Sequence, residues 1–196
     1  MNKINKGASK MKKLLLIVFG VLFLSKVSYA VNVDGVNVKN TLMLNSTQLQ
    51  LNGYGIRHYS FLGIKIYVGA LYTQERVHST EQLLSSKQNK VIVMYFVYPN
   101  VSKDKVIGAF KEGFKDNYPS IIGTSEEKSF LNFFTHGFKK GDSIEIALLE
   151  NGNTQVYENG SLIGQIHSPE LQKAIIMVYF GPKPPDKSMK EGMLGK

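Results

Sequence analysis

The sequence contains no cysteine. Disulfides, thiolate metal sites and a cysteine nucleophile are thereby excluded. Tryptophan is absent as well, although 11 Phe and 10 Tyr supply aromatic bulk. The four histidines, His58, His78, His136 and His167, are scattered and form no H-E-x-x-H pair or other metal-ligand spacing. No G-x-S-x-G elbow occurs, and Gly53-x-Gly55 is a lone glycine pair outside any phosphate-loop context. The acids form no spaced pair of a catalytic kind. There is no dense basic patch interleaved with aromatics, which argues against a nucleic-acid partner. No apolar run reaches the roughly 18 residues of a membrane span. Neither an internal repeat nor a low-complexity linker divides the chain, so one domain is expected, with no metal and no cofactor.

What is present begins with charge. The net charge of +9 is unevenly placed: residues 1–30 hold six of the 24 Lys and Arg and no acid, leaving 18 bases against 15 acids, or +3, for the rest. Lys3, Lys6, Lys10, Lys12 and Lys13 precede the apolar run Leu14–Leu24, and Ser28-Tyr29-Ala30 ends in small residues at the −3 and −1 positions. This is the pattern of a secretory signal peptide over residues 1–30, cleaved after Ala30; the alternative is an uncleaved N-terminal anchor. The expected product is periplasmic or secreted, is residues 31–196, and has no stable membrane span after cleavage.

From Val31 the chain alternates as short strands, with an Asp34-Gly35 turn. Ser79 or Thr80 caps a short helix. Lys90–Tyr98, KVIVMYFVY, is too continuously apolar to be half-exposed and is placed centrally in a sheet. Ser102 caps a helix to about Asn117, with Val106, Ile107, Phe110 and Phe114 on one face. A second helix begins at Ser125 and carries Phe130, Leu131, Phe133 and Phe134. Asn151-Gly152 and Asn159-Gly160 are hairpin signals that divide Ser143–His167 into a three-strand meander. Pro169 opens a helix through about Tyr179, and Lys187–Leu194 forms a last one.

The stretch Asn52–Tyr72, NGYGIRHYSFLGIKIYVGALY, reads as two strands joined at Leu62-Gly63. Gly53 and Gly55 allow the backbone to bend or a neighbour to approach closely. In the second strand Ile64, Ile66, Val68, Ala70 and Tyr72 face one way, and Lys65, Tyr67, Gly69 and Leu71 the other. Arg57 stands alone among apolar and aromatic residues. A guanidinium in an apolar enclosure offers five donors for a carboxylate or phenolate. That enclosure is expected if the helix over Val106–Phe114 covers the face with Tyr59, Phe61 and Tyr67. The plainer alternative is an arginine lying along the sheet with its head in water or paired to an acid.

Asn52-Gly53-Tyr54-Gly55-Ile56-Arg57, Ile66-Tyr67-Val68-Gly69-Ala70-Leu71-Tyr72 and the closing Tyr179-Phe180-Gly181-Pro182 and Met193-Leu194-Gly195 together resemble the chalcone isomerase-like family, in particular a bacterial secreted branch. The resemblance spans about Val38 to Lys196. It implies an α+β fold, an antiparallel β-sheet with helices packed on one face. It also implies a choice of function. In the isomerases of this family an arginine, a threonine, a tyrosine and an asparagine serve an intramolecular lyase reaction. Arg57 matches the first, but the other positions fall at about Tyr67, Ser102 and Ala109. The fatty-acid-binding relatives pair an arginine with a tyrosine to grip a carboxylate, a role open to Arg57 with Tyr67, Tyr72 or Tyr59. The resulting expectation is a non-catalytic binder of a small hydrophobic carboxylate or phenolic ligand, such as a fatty acid. The alternatives are a chalcone isomerase-type enzyme on an unknown substrate, with Arg57 catalytic, and a periplasmic protein-interaction module.

Overall fold

A computed structural model of the chain describes residues 30–59 and 62–196. All of the expected leader but Ala30 therefore lies outside the described residues, as does Phe61. The elements are β1 (Ala30–Val33), β2 (Val36–Lys39), β3 (Thr41–Leu44), β4 (Thr47–Tyr59), β5 (Ile64–Thr73), α1 (Thr80–Ser85), β6 (Lys90–Phe96), β7 (Asn100–Val101), α2 (Lys103–Asn117), α3 (Ser125–Leu131), β8 (Phe138–Lys139), β9 (Ser143–Leu148), β10 (Asn153–Glu158), β11 (Ser161–His167), α4 (Pro169–Phe180) and α5 (Lys187–Met193).

Seven strands form one antiparallel sheet in the order β11-β10-β9-β6-β5-β4-β3. The apolar run in β6 takes the middle position, buried on both faces, as its composition predicts. Asn159 and Gly160 both adopt positive φ, the geometry a two-residue turn between right-twisted strands requires. The helices begin where their caps place them: Ser79, Ser102, Thr124, Ser168 and Asp186 each accept a bond from the backbone amide three residues on. α3 ends at Leu131, so Phe133 and Phe134 lie beyond it.

The alternation of each strand creates two apolar layers. One, shared with the helices, holds Leu71, Ile92, Met94, Ile144 and Ile146 against Phe110, Phe114, Phe130, Ile175 and Tyr179. The other holds Val68, Ala70, Tyr72, Val91, Val93 and Ala147 against Val38. That second face is covered not by a helix but by the β1–β2 hairpin. Asp34 at its turn meets Lys65 at 2.6 Å, and the Tyr72 hydroxyl donates to the Lys39 carbonyl at 2.8 Å.

The β4–β5 pairing carries two irregularities that decide which side chains reach the helix side. Leu51 pairs with Tyr72 but Gly53 with Leu71, so Asn52 is an extra residue. Its buried amide donates to the carbonyls of Val77 (2.9 Å) and Met193 (2.8 Å) and accepts from the Val77 amide (2.8 Å). Further on, Arg57 pairs with Tyr67 but His58 with Lys65, so Ile66 is the extra residue on β5. Its carbonyl takes the amides of Val97 and Tyr98 instead.

Candidate functional site

From Gly53 onward β4 alternates strictly. Tyr54 and Ile56 pack with the hairpin layer. Gly53 and Gly55 face α5, close enough that a Cβ on Gly53 would stand 2.1 Å from the Gly192 carbonyl oxygen, and one on Gly55 2.5 Å from Met189 Cα. Arg57 follows on this α5-facing side, half-buried and directly across from Tyr67. The covering element is thus α5, not α2 as expected; α2 packs on α4. Met189 and Met193 of α5 fill the hollow over Gly69, their sulfurs 2.9 and 3.2 Å from where its Cβ would be.

The structure brings Arg57 and Tyr67 together. It separates the other two tyrosines from them. Tyr72 lies under the hairpin on the opposite face of the sheet, because it is odd-numbered steps away from Tyr67 along β5. Tyr59 stands at the exposed end of β4, its side chain largely in solvent. Ser102 caps α2, and Ala109 is exposed on that helix.

Two groups unforeseen from sequence join instead. Tyr179, from the apolar C-terminal half of α4, donates its hydroxyl to Met94 Sδ at 3.2 Å, a weak acceptor readily exchanged for a better one. Burial raises the Tyr179 hydroxyl well above its usual pKa, with a smaller contribution from Tyr67. Burial raises Tyr67 too, opposed by the nearby Arg57 charge and supported by that of Asp186. Both phenols are therefore neutral donors at physiological pH and cannot act as general bases there. Tyr67 packs edge-on against Phe96 at 5.9 Å.

Asp186 is the second addition. One carboxylate oxygen accepts from Ser188 Oγ (2.7 Å) and the Met189 amide (3.1 Å); the other accepts from the His58 amide (2.9 Å) and faces His58 Nδ1 (3.2 Å). Its acceptor capacity is thus engaged in latching α5 to β4. Among the described residues Arg57 has no hydrogen bond and no ion pair within 4 Å. A half-exposed guanidinium in this state is open to water and to an anion alike. The only sequence signal for Asp186 is its place before a helix start; for Tyr179, it is one hydroxyl in the run AIIMVYF.

Burial disfavours the Asp186 charge, but the bonds from His58, Ser188 and Met189 prevail and bring its pKa down to about 2. A carboxyl depressed in the folded state contributes stability that is fully present above its unfolded value near 4, and that is lost as pH falls through about 2. The side chain is only 12% exposed, so screening is slight. Asp186→Asn should cost about 2 kcal/mol at pH 7, and the gap to the parent should narrow below about pH 4 and close as pH falls through about 2. Urea titrations at pH 7, 4 and 2 check this; a gap independent of pH would disprove it.

Two surface grooves lie elsewhere. One, of about 550 Å³, runs between Asn100, His136, Lys139 and Glu158. The other, of about 440 Å³, is lined by Gln48, Gln50, Tyr54 and Arg76. Neither includes Arg57.

A crystal structure of an Arabidopsis thaliana fatty-acid binding protein superimposes on this fold with a TM-score of 0.66, at 20% identity, covering 85% of this chain and 95% of that one. At this identity the likeness extends to the fold alone. No curated protein matches. The model of the chalcone isomerase-like family matches residues 30–195, from the first strand to the glycine after α5, so the chain belongs to the chalcone isomerase-like family.

Proposed function

We propose that the protein is a non-catalytic binder of a small apolar acid, such as a fatty acid, held at Arg57 on the β4–β5 face beside α5. The observation that carries this reading is the unpaired Arg57 guanidinium beside the neutral Tyr67 hydroxyl, with Tyr179 close by. Arg57 supplies the charge, Tyr67 a second donor, and Met189 and Met193 a flexible apolar lining that an acyl chain can displace. The plant structure's description as a fatty-acid binding protein supports the choice of ligand. The lyase reading is weaker, because it needs a group to handle the proton, and burial makes Tyr67 and Tyr179 hold theirs tightly.

Calorimetric titration with oleate tests the proposal. Arg57→Ala should lower affinity about 10- to 100-fold, the 1.5–3 kcal/mol of a charge-assisted hydrogen bond. Tyr67→Phe should lower it less. Unchanged oleate affinity in Arg57→Ala would refute the assignment.

We further propose export, with cleavage after Ala30. The first strand begins at Ala30, so such a cut would leave every later element in the mature chain. The intact mass of protein recovered from the cell envelope should start at Val31; a mass that retains residues 1–30 would contradict this.

A further inference from the structure

The groove of about 440 Å³ lies where the chain passes from β2 into β3, against the segment that follows β5. Its volume falls within the roughly 300–1,000 Å³ of small-molecule sites. Asn40, Thr41, Gln48, Gln50 and Arg76 line it, and none of their side chains has a hydrogen bond or ion pair among the described residues. The β3–β4 register sets Gln50 directly opposite Thr41, and Gln48 follows on the same face about 7 Å along the strand.

The side chains are free, but the backbone that carries them is fixed. Asn52 belongs to the lining and ties β4 to Val77 through two bonds, at 2.9 and 2.8 Å. On the other side of Arg76, the Glu75 amide donates to Gln88 Oε1 (2.6 Å) and the Glu75 carbonyl accepts from Gln88 Nε2 (3.2 Å). Arg76 therefore has both neighbours clamped, while its own side chain is exposed and unengaged. The Leu51 amide on the Asn40 carbonyl, at 2.8 Å, holds the opposite wall. A ligand here meets walls already formed, which lowers the ordering cost of binding.

The chemistry of the lining selects the ligand. It contains no acid, so Arg76 is its one charge and suits a single anionic group. Each Asn or Gln amide carries an acceptor beside two donors. That is the complement of neighbouring hydroxyls, which both give and take hydrogen bonds. Leu51 and Tyr54, the lining residues with apolar bulk, pack with the hairpin layer, which leaves little for an acyl chain. We propose that this groove is a second ligand site, apart from Arg57, for a saccharide bearing one acidic group, with its hydroxyls on Asn40, Gln48 and Gln50 and its anion on Arg76. The assignment does not rest on the binder reading.

Backbone amide chemical shifts of the full chain test this, with glucuronate, glucose 6-phosphate and glucose as probes. Glucuronate should move the amides of Gln48, Gln50, Gly53 and Arg76 with a millimolar Kd, and leave those of Asn100 and Gly137, in the other groove, in place. Glucose should move the same amides with about tenfold lower affinity. Arg76→Ala should reduce glucuronate to the level of glucose, and Gln50→Ala should weaken both; each side chain is exposed, so both variants should fold. Tighter binding of glucose 6-phosphate than of glucuronate would identify the acidic group as a phosphate, and the reverse as a carboxylate; either supports the site. Acetate moving these amides as far as glucuronate does would overturn the proposal, since Arg76 would then hold an anion with no sugar recognition. So would equal shifts in both grooves, or none at about 20 mM glucuronate. Arg57→Ala should leave the glucuronate shifts unchanged, and their loss in that variant would place the ligand elsewhere and overturn the assignment. Oleate affinity should be the same in Arg76→Ala as in the parent, so failure of one site is distinguishable from failure of the other.

Discussion

Gly53→Ala should destabilise the protein by about 3 kcal/mol or more. A methyl at this position would lie 2.1 Å from the Gly192 carbonyl oxygen and 2.9 Å from that of Met193. Both are backbone atoms, so no rotamer change relieves the clash and α5 has to lift. Lifting withdraws the Met193 carbonyl from the Asn52 amide, leaving a buried polar group short of a partner at about 1–3 kcal/mol. It also loosens the fully buried Met189 and Met193. The helix-side counterpart is equally tight: a Cβ on Gly192 would meet the Tyr54 carbonyl oxygen at 2.2 Å. Gly108→Ala is the control. It lies inside α2 with nothing within 4 Å of its Cβ, and should be neutral or stabilise by up to about 1 kcal/mol. Urea denaturation followed by far-UV circular dichroism distinguishes the two. A Gly53→Ala variant within about 1 kcal/mol of the parent would mean that α5 does not rest on the strand backbone.

Phe130→Ala should cost about 4 kcal/mol. The ring is fully buried. It meets Phe110 at 5.0 Å and Phe134 at 5.4 Å, both edge-to-face, with Phe114 and Phe133 just beyond 6 Å. Removing it deletes the shared member of four aromatic pairs and leaves a cavity between α2 and the segment that follows α3. Phe133→Ala should cost clearly less, because Phe133 is only half-buried and leans on Gly164 at the sheet edge. Comparable losses for the two variants in thermal unfolding would show that the cluster has no centre at Phe130.

The sequence carried the strands, the hairpin turns and the helix starts because these depend on local chemistry: alternation, Asn-Gly pairs and capping hydroxyls. It also carried the close approach at Gly53 and Gly55, though not its partner. What it could not carry were interactions set by distant segments. Ile66 was assigned to the Val68 side by alternation, but the bulge turns it to the helix layer. That bulge is held by the Val97 and Tyr98 amides on its carbonyl, about thirty residues away in sequence. The same long-range dependence hides Asp186, whose bond to the His58 amide spans 128 positions. Tyr72 was offered as an alternative partner for Arg57. The strand's two-residue period, applied from Tyr67, excludes it, since odd spacings change face. The two-residue pairing of β7 with β8 is too short to leave a pattern.

The order of the sheet has a kinetic meaning. Each neighbouring pair joins strands that follow one another along the chain, except at one seam, where β6 lies beside β9 across the whole of α2 and α3. Two runs of hairpins can zip separately on short loops, but joining them requires closing the long intervening loop before any contact repays the lost chain entropy. The search for the native topology is therefore concentrated in one event, the meeting of Ile92 with Ile146, and the assembly rate should follow the length and stiffness of the segment between them.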